Sequence, residues 1–436
     1  MTSQAPKPQH TPELEELLID AEADDDVVQH NHPLVSRPWL LLLGLVLVAL
    51  NLRPSMAAVG PLLSAIRVDI SLGFGMASLL TMLPVMAMGL AMFVGMGIAA
   101  RVGSYLTITI SLALIGVATL ARLFLDSAVE LIFSAVLAGL GIAMIQALMP
   151  ALIKSRFKDN VSLCMGLYVT AIMGGAAIAA SLSPLMLSHS GNWRFGLAIW
   201  AALALLALCF WVVQRHAFQS CGSSAAPRKQ AFSRMPRAWM LGVFFGLGTA
   251  SYTCALAWLA PYYLENGWSE QDAGLLLGFM TLMEVVSGLV TPALANRSRD
   301  KRLVLAVLLG LIMAGFVGLI LMPQQLSLLW TGLLGLGIGG LFPMSLIVSM
   351  DHYDDPQQAG SLTAFVQGVG YLIAGLSPLL AGVIRDVTGS FSGAWWSLIG
   401  LVAVMLLMVV RLDPRHYARH LHESSAHAGV AEGKTA

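Results

Sequence analysis

Charge is scarce in this chain. Asp, Glu, Lys and Arg make up 11 % of its 436 residues, against about 25 % in a soluble domain. Acids and bases balance at 24 each, so there is no basic footprint to attract nucleic acid. Cysteine is also rare. Cys164, Cys209, Cys221 and Cys254 show neither metal-ligand nor disulfide spacing, and three of them stand in apolar runs as small packing residues. The chain has no P-loop, which excludes ATP-driven pumping, and no His-Glu-x-x-His or nucleophile elbow. No catalytic residue, no metal and no cofactor is therefore expected. The first ~36 residues lack the basic start and short apolar core of a signal peptide. They carry Glu13, Glu15, Glu16, Asp20, Glu22 and Asp24 to Asp26 instead, and read as a disordered acidic tail.

What is abundant is apolar surface: 57 % of the residues are hydrophobic. A soluble fold of this length cannot hide that much, so the solvent is a bilayer. A spanning helix needs about 20 mostly apolar residues. Twelve such runs lie at about 38–58, 74–98, 103–123, 128–153, 161–187, 194–214, 238–262, 270–293, 302–322, 326–350, 358–384 and 391–411, with boundaries good to a few residues. The expected fold class is an all-α integral membrane protein with two six-helix bundles, at 38–214 and 238–411. A disordered tail at 1–37, a linker at 215–237 and a second tail at 412–436 complete the chain. Lys and Arg placement sets orientation. Arg37, Arg101, Lys154, Arg156, Lys158, Arg215 and the linker bases gather on one side with Arg297, Arg302 and Arg411, while the other side has Arg67, Arg122, Arg194 and Arg385. Both termini and the linker are thus expected in the cytoplasm, with the protein in the cell inner membrane. Tyr262, Tyr263, Trp268 and Trp330 read as interfacial belt aromatics.

The two groups of six repeat each other. Leu79-Leu80 and Ala99-Ala100-Arg101 recur as Leu275-Leu276 and Ala295-Asn296-Arg297, and Gly139-Leu140-Gly141-Ile142 as Gly335-Leu336-Gly337-Ile338, both at an offset of 196. Ser183-Pro184-Leu185 recurs as Ser377-Pro378-Leu379 at 194. Six spans per unit keep the repeat parallel, and such repeats pack about an axis along the membrane normal with a site between them at mid-depth.

Several strings carry a family resemblance. They are Asn51-Leu52-Arg53-Pro54 with Val59-Gly60-Pro61-Leu62-Leu63, Leu79-Leu80-Thr81-Met82-Leu83-Pro84-Val85, and Gly141-Ile142-Ala143-Met144-Ile145-Gln146-Ala147-Leu148-Met149-Pro150 with Ile153-Lys154. Met165-Gly166-Leu167-Tyr168, Met173-Gly174-Gly175 and Gln367-Gly368-Val369-Gly370-Tyr371 follow. Over residues 38–411 the chain resembles the cyanate porter (CynX/NimT) family of the major facilitator superfamily. The resemblance implies a twelve-helix secondary transporter that works by alternating access. It also implies a small substrate: a cyanate-like or organic anion, or a small nitroaromatic or drug-like compound. In the superfamily, the loop after helix 2 carries Gly, an Asp and basic residues and is linked to gating. Here Gly97-Ile98-Ala99-Ala100-Arg101-Val102-Gly103 keeps the frame without the Asp. Arg101 and its repeat partner Arg297 are the gating candidates.

Ionisable groups at membrane depth are functional candidates by default. Arg53 lies 14 residues past Trp39, ~21 Å along a helix in a core about 30 Å thick. Its guanidinium offers a charged planar fork to an anionic or electron-rich solute; the other reading is a structural arginine paired to carbonyls. Glu284 lies ten residues from Leu294, close to mid-depth, and its repeat partner is Met88. A carboxyl there can exchange a proton with the cycle, or hold helices together as a neutral group. Asn51, Gln146, Tyr168, Tyr252, Trp258, Gln367 and Tyr371 are the uncharged substrate-binding candidates, Gln367 and Tyr371 sharing a helix face at i, i+4. The expected partners are a small-molecule substrate, the lipid bilayer and protons as a candidate coupling ion, with no nucleic acid; the chain is expected to act as a monomer. The alternative is a polytopic membrane enzyme acting at the cytoplasmic face through Asp351, His352, Asp354 and Asp355, a cluster that also reads as a solvated loop.

Overall fold

With no water in a bilayer core, every backbone N–H and C=O must be satisfied inside its own segment or barrel. The structure, a computed structural model, answers with helices: among the described residues there is no strand. It describes residues 38–70, 74–157, 160–215, 232–296, 298 and 300–416. The acidic tail at 1–37, most of the linker, the end of the chain after His416 and Arg297 lie outside these residues.

Twelve described helices are long and apolar enough to cross a membrane. Spans 1 to 6 are Trp39–Leu63, Met82–Val102, Ser104–Phe124, Ala128–Arg156, Val161–Ser190 and Trp193–Val213. Spans 7 to 12 are Pro236–Glu265, Asp272–Ala295, Arg302–Leu321, Ser327–Met350, Pro356–Thr388 and Ser392–Val410. Each falls on one of the twelve expected runs. Their ends follow capping chemistry. Ser127 accepts from Glu130 N, whose carboxylate reaches back in a capping box at the start of span 4. Asp355 accepts from Gln358 N at 2.8 Å to open span 11. Spans 5 and 11 close on left-handed glycines, Gly191 (φ 66) and Gly389 (φ 70), where a side chain would be strained.

From Leu40 onward the helices belong to one unit. Large apolar side chains such as Val117, Leu205, Leu303 and Leu407 are exposed, as a lipid-facing perimeter requires. The sequence repeat reappears in the packing. A Cβ on Gly139 would stand 2.9 Å from the Pro84 carbonyl oxygen, and one on Gly335 would overlap the Met280 carbonyl, its counterpart. Gly141 meets Ile115 and the Ser111 carbonyl, and Gly337 meets Ile312 and the Leu308 carbonyl. Span 4 thus seats on spans 2 and 3 through the same glycines by which span 10 seats on spans 8 and 9. Small residues are what let membrane helices approach this closely.

Two expectations need correction. Tyr262 and Tyr263 are buried, not belt residues: their hydroxyls donate to the Leu319 carbonyl at 2.5 Å and the Pro323 carbonyl at 3.2 Å. They fasten span 7 to the end of span 9, because a tyrosine near a helix end can spend its hydroxyl on a neighbouring helix's free carbonyls. Arg122, read as a flank base, is fully buried (0 % exposed). A true flank base is Arg194, which bonds Asp69 at 2.7 Å and Asp126 at 2.8 Å. That arginine and the Trp193 indole hold the Asp69 carboxyl below its usual range.

Candidate substrate site

Span 1 is not continuous. Its first helix ends at Leu50, a four-residue helix runs Pro54–Ala57, and a third runs Val59–Asp69. Pro54 has no N–H to continue the ladder. The chain turns instead through Asn51 N to Val48 O (3.2 Å) and Leu52 N to Ala49 O (3.0 Å). Arg53 stands at the break with φ −119 and ψ −23, its carbonyl accepting from Met56 N at 3.0 Å and Ala57 N at 2.9 Å. Span 5 crosses directly behind the break: a Cβ on Gly175 would overlap the Leu50 carbonyl.

Tyrosines from three other spans gather around Arg53. Its guanidinium lies within electrostatic range of Tyr371 of span 11, Tyr168 of span 5 and Tyr252 of span 7. Tyr371 donates in turn to Gln146 Oε1 of span 4 at 3.1 Å. Glu284 of span 8, 1 % exposed, acts on Tyr252 from another direction. Tyr252 therefore stands in the field of both charged groups, and no ion pair joins Arg53 to Glu284 among the described residues. The Glu284 backbone is pressed by Gly339 of span 10, on which a Cβ would overlap the glutamate's own main chain.

Buried polar atoms almost always have partners. Here Asn51 Nδ2, Tyr168 OH, Glu284 Oε1 and Gln367 Nε2 are buried without one. Each belongs to the cluster or stands within a helical turn of a member. Beside them runs a narrow, mostly apolar crevice, lined by Met173, Phe245, Tyr252, Phe342 and Ser345 among others. Tyr252 connects crevice and cluster. The arrangement offers one fixed cation, several neutral hydrogen-bonding groups and flat apolar walls.

Two candidates are not brought to the cluster. Trp258 gives its indole N–H to the Pro378 carbonyl at 2.9 Å and stacks near Phe391. Arg101 is exposed at the end of span 2, and Arg297 lies outside the described residues. The structure instead shows a clasp that the sequence reading passed over. Lys154, at the end of span 4, donates to the carbonyls of Met350 (2.5 Å) and Tyr353 beyond the end of span 10. A cation at a helix C-terminus meets both unpaired carbonyls and the negative end of the dipole. Asp351 lies between Lys154 and Lys301. Asp351 is itself solvent-exposed; the protein packed around its carboxyl pushes it above the usual range, and Lys301 and Lys154 pull it part of the way back. Phe93 of span 2 closes on Phe365 of span 11 on the same side, ring centroids 5.6 Å apart. The other residues missed from sequence were Arg122 and the crevice walls Met173, Phe245, Phe342 and Ser345. Nothing in an apolar helix sequence separates a wall from ordinary core.

Twelve spans around a polar centre at mid-depth define a multi-pass membrane carrier for a small solute. The Major Facilitator Superfamily model matches residues 41–378. The chain is 41 % identical over 376 residues to the cyanate transport protein CynX of Escherichia coli (strain K12), covering 86 % of this chain and 97 % of that one. It is 32 % identical to the 2-nitroimidazole transporter of the same organism, covering 85 % and 94 %. Among solved structures it is similar to the proton:xylose symporter XylE bound to 6-bromo-6-deoxy-D-glucose, with TM-score 0.69 and 12 % identity over 86 % of this chain and 95 % of that one. It is also similar to FucP in the outward conformation, with TM-score 0.67 and 12 % identity over 86 % and 99 %. The chain belongs to the major facilitator superfamily, in its cyanate porter group, and is a secondary transporter rather than an enzyme.

Proposed function

We propose that this carrier moves a small, planar, electron-rich solute across the bacterial inner membrane, with Arg53 as the group that reads it. The observation that carries this reading is Arg53 itself: a guanidinium at a helix break, near Tyr371, Tyr168 and Tyr252 and in no ion pair among the described residues. A planar fork of donors suits a compact anion or a nitro group, and tyrosine faces suit a flat solute. Cyanate and 2-nitroimidazole, the compounds for which two similar proteins are named, are both small and both present compact hydrogen-bond acceptors, the ends of a linear anion in one and nitro oxygens in the other. Gln146, Tyr371 and the unpartnered Asn51, Tyr168 and Gln367 supply the remaining polar contacts, and the crevice at Tyr252 supplies apolar walls.

The spans of the first half, 38–214, rock against those of the second, 238–411, about this site, joined by the 215–237 linker. The basic side is cytoplasmic, so both termini are cytoplasmic and the Lys154 clasp closes the inner face. Glu284 takes and releases the coupling proton, and the functional unit is one chain.

The test is thermal unfolding of purified protein with cyanate and with 2-nitroimidazole, wild type beside Arg53→Ala. A midpoint rise of about 2–4 °C at saturating ligand in wild type alone supports the reading. An equal rise in both proteins removes Arg53 from the site.

A further inference from the structure

Arg122 is the largest charged side chain in the interior, and the transport site does not use it. It is 0 % exposed. Its Nε donates to Ser134 Oγ at 3.1 Å and its Nη1 to the Ser55 carbonyl at 2.5 Å. Its Nη2 is buried with no acceptor, and no carboxylate acts on it among the described residues. Several other cations have carboxylates beside them. Arg194 has Asp69 and Asp126, Arg302 has Asp300 and Asp413, Arg385 has Glu265 and Asp386, and Lys154 and Lys301 share Asp351. A buried charge without a counter-charge is among the costliest things a fold can hold, and a guanidinium does not escape the cost by losing its proton.

Two more buried donors share the neighbourhood, and neither has a partner. Ser55 Oγ belongs to the residue whose carbonyl Arg122 grips, and Thr119 Oγ1 stands three residues before Arg122 on one face of span 3. The oxygen acceptors present, the Ser55 carbonyl and Ser134 Oγ, are already engaged by the other edges of the guanidinium. What is left over is one full positive charge and three N–H or O–H groups.

From this we infer that Arg122, Ser55 and Thr119 form a buried site for a small monovalent inorganic anion of halide size, separate from the solute site at Arg53. One negative charge neutralises one guanidinium. A compact anion accepts from Nη2 and from both hydroxyls, whereas a divalent oxyanion would leave excess charge in the interior. The site sits behind the Pro54–Ala57 helix, so the anion would steady the segment that carries Arg53.

The experiment follows unfolding of the purified full chain as sodium gluconate is replaced by sodium bromide at constant ionic strength. The wild-type midpoint should rise by about 3 °C. Arg53→Ala should keep that rise, whatever becomes of solute binding, and Arg122→Gln should abolish it. If Arg122→Gln does not fold, Ser55→Ala combined with Thr119→Val should at least halve the rise. Crystals grown in bromide should show anomalous density beside Arg122 Nη2. A wild-type midpoint indifferent to bromide, a rise that survives Arg122→Gln or the double variant, or bromide found only elsewhere would overturn the assignment.

Discussion

Arg53 and Glu284 are both deep in apolar helices, yet they do not form a pair. An arginine and a glutamate in direct contact would neutralise each other and leave little charge for a solute. Here Tyr252 stands in the field of both, so the two charges sense each other through a neutral group. Glu284→Gln keeps the shape and removes the proton. Transport into proteoliposomes, measured at several external pH values, should lose its pH dependence in this variant. A profile that stays parallel to wild type would end the coupling role. Both residues were legible in the sequence because charge in a spanning run is rare enough to stand out. Arg122 was not legible: near the end of a run, a buried arginine and a flank arginine have the same neighbours in sequence, and only the fold tells them apart.

Asp351 carries a separate pH signature. Its carboxyl sits above the ordinary 3.8, mainly through the protein packed around it and despite Lys301 and Lys154, and because the residue is solvent-exposed the effect on stability is small. A raised value in the folded state means that the folded form binds the proton more tightly. The stabilisation is then complete below the unfolded value and fades as pH rises through the folded one. Wild-type protein should therefore gain stability as pH falls toward the carboxylate range. Asp351→Asn should flatten that gain without lowering the midpoint at neutral pH. Calorimetry of both proteins across this range checks the slope.

At the scale of elements, length and apolarity settle a spanning helix almost alone, so all twelve spans were readable, although span 2, expected from 74, runs as a spanning segment from Met82. Pro54 announced that span 1 would be disturbed. It did not announce that the chain would split into three helices, because that depends on what passes behind. Gly175 of span 5 passes there, close enough that any Cβ would overlap the Leu50 carbonyl. Gly175→Ala should destabilise the protein by roughly 1–3 kcal/mol, the usual cost of overpacking, and should weaken solute binding along with it. An alanine variant with unchanged unfolding midpoint and ligand response would show that the close approach is not required. Tyr262 and Tyr263 mark the opposite limit: interfacial and core tyrosines share a sequence signature, and the hydroxyl's partner, a carbonyl some 60 residues away, is invisible beforehand.

For the whole molecule, the repeat was legible and the clasp was not. Lys154 was read as one more base among many, since its acceptors are backbone carbonyls of a helix 196 residues distant that leave no mark in sequence. If those bonds hold the basic side shut, Lys154→Met should shift the population toward the form open on that side. Spin labels at Arg101→Cys and Asp354→Cys, in a background without native cysteines, would report it. The distance distribution should gain a longer component relative to wild type, and an unaltered distribution would show that the clasp does not hold that side.

The glycine seats of span 4 and span 10 carry a lesson about division of labour. The scaffold was kept in duplicate: Gly139 and Gly335 rest on carbonyls at the same offset, Pro84 and Met280, and Gly141 and Gly337 on carbonyls within one residue of it, Ser111 and Leu308. The chemistry was written in single copy: counting on by the same offset, Arg53 falls opposite Thr249 and Glu284 opposite Met88. In the proposed cycle one moving body thus holds the hook for the cargo and the other holds the acid, so any exchange of force between them must cross the seam at which the two bodies pivot.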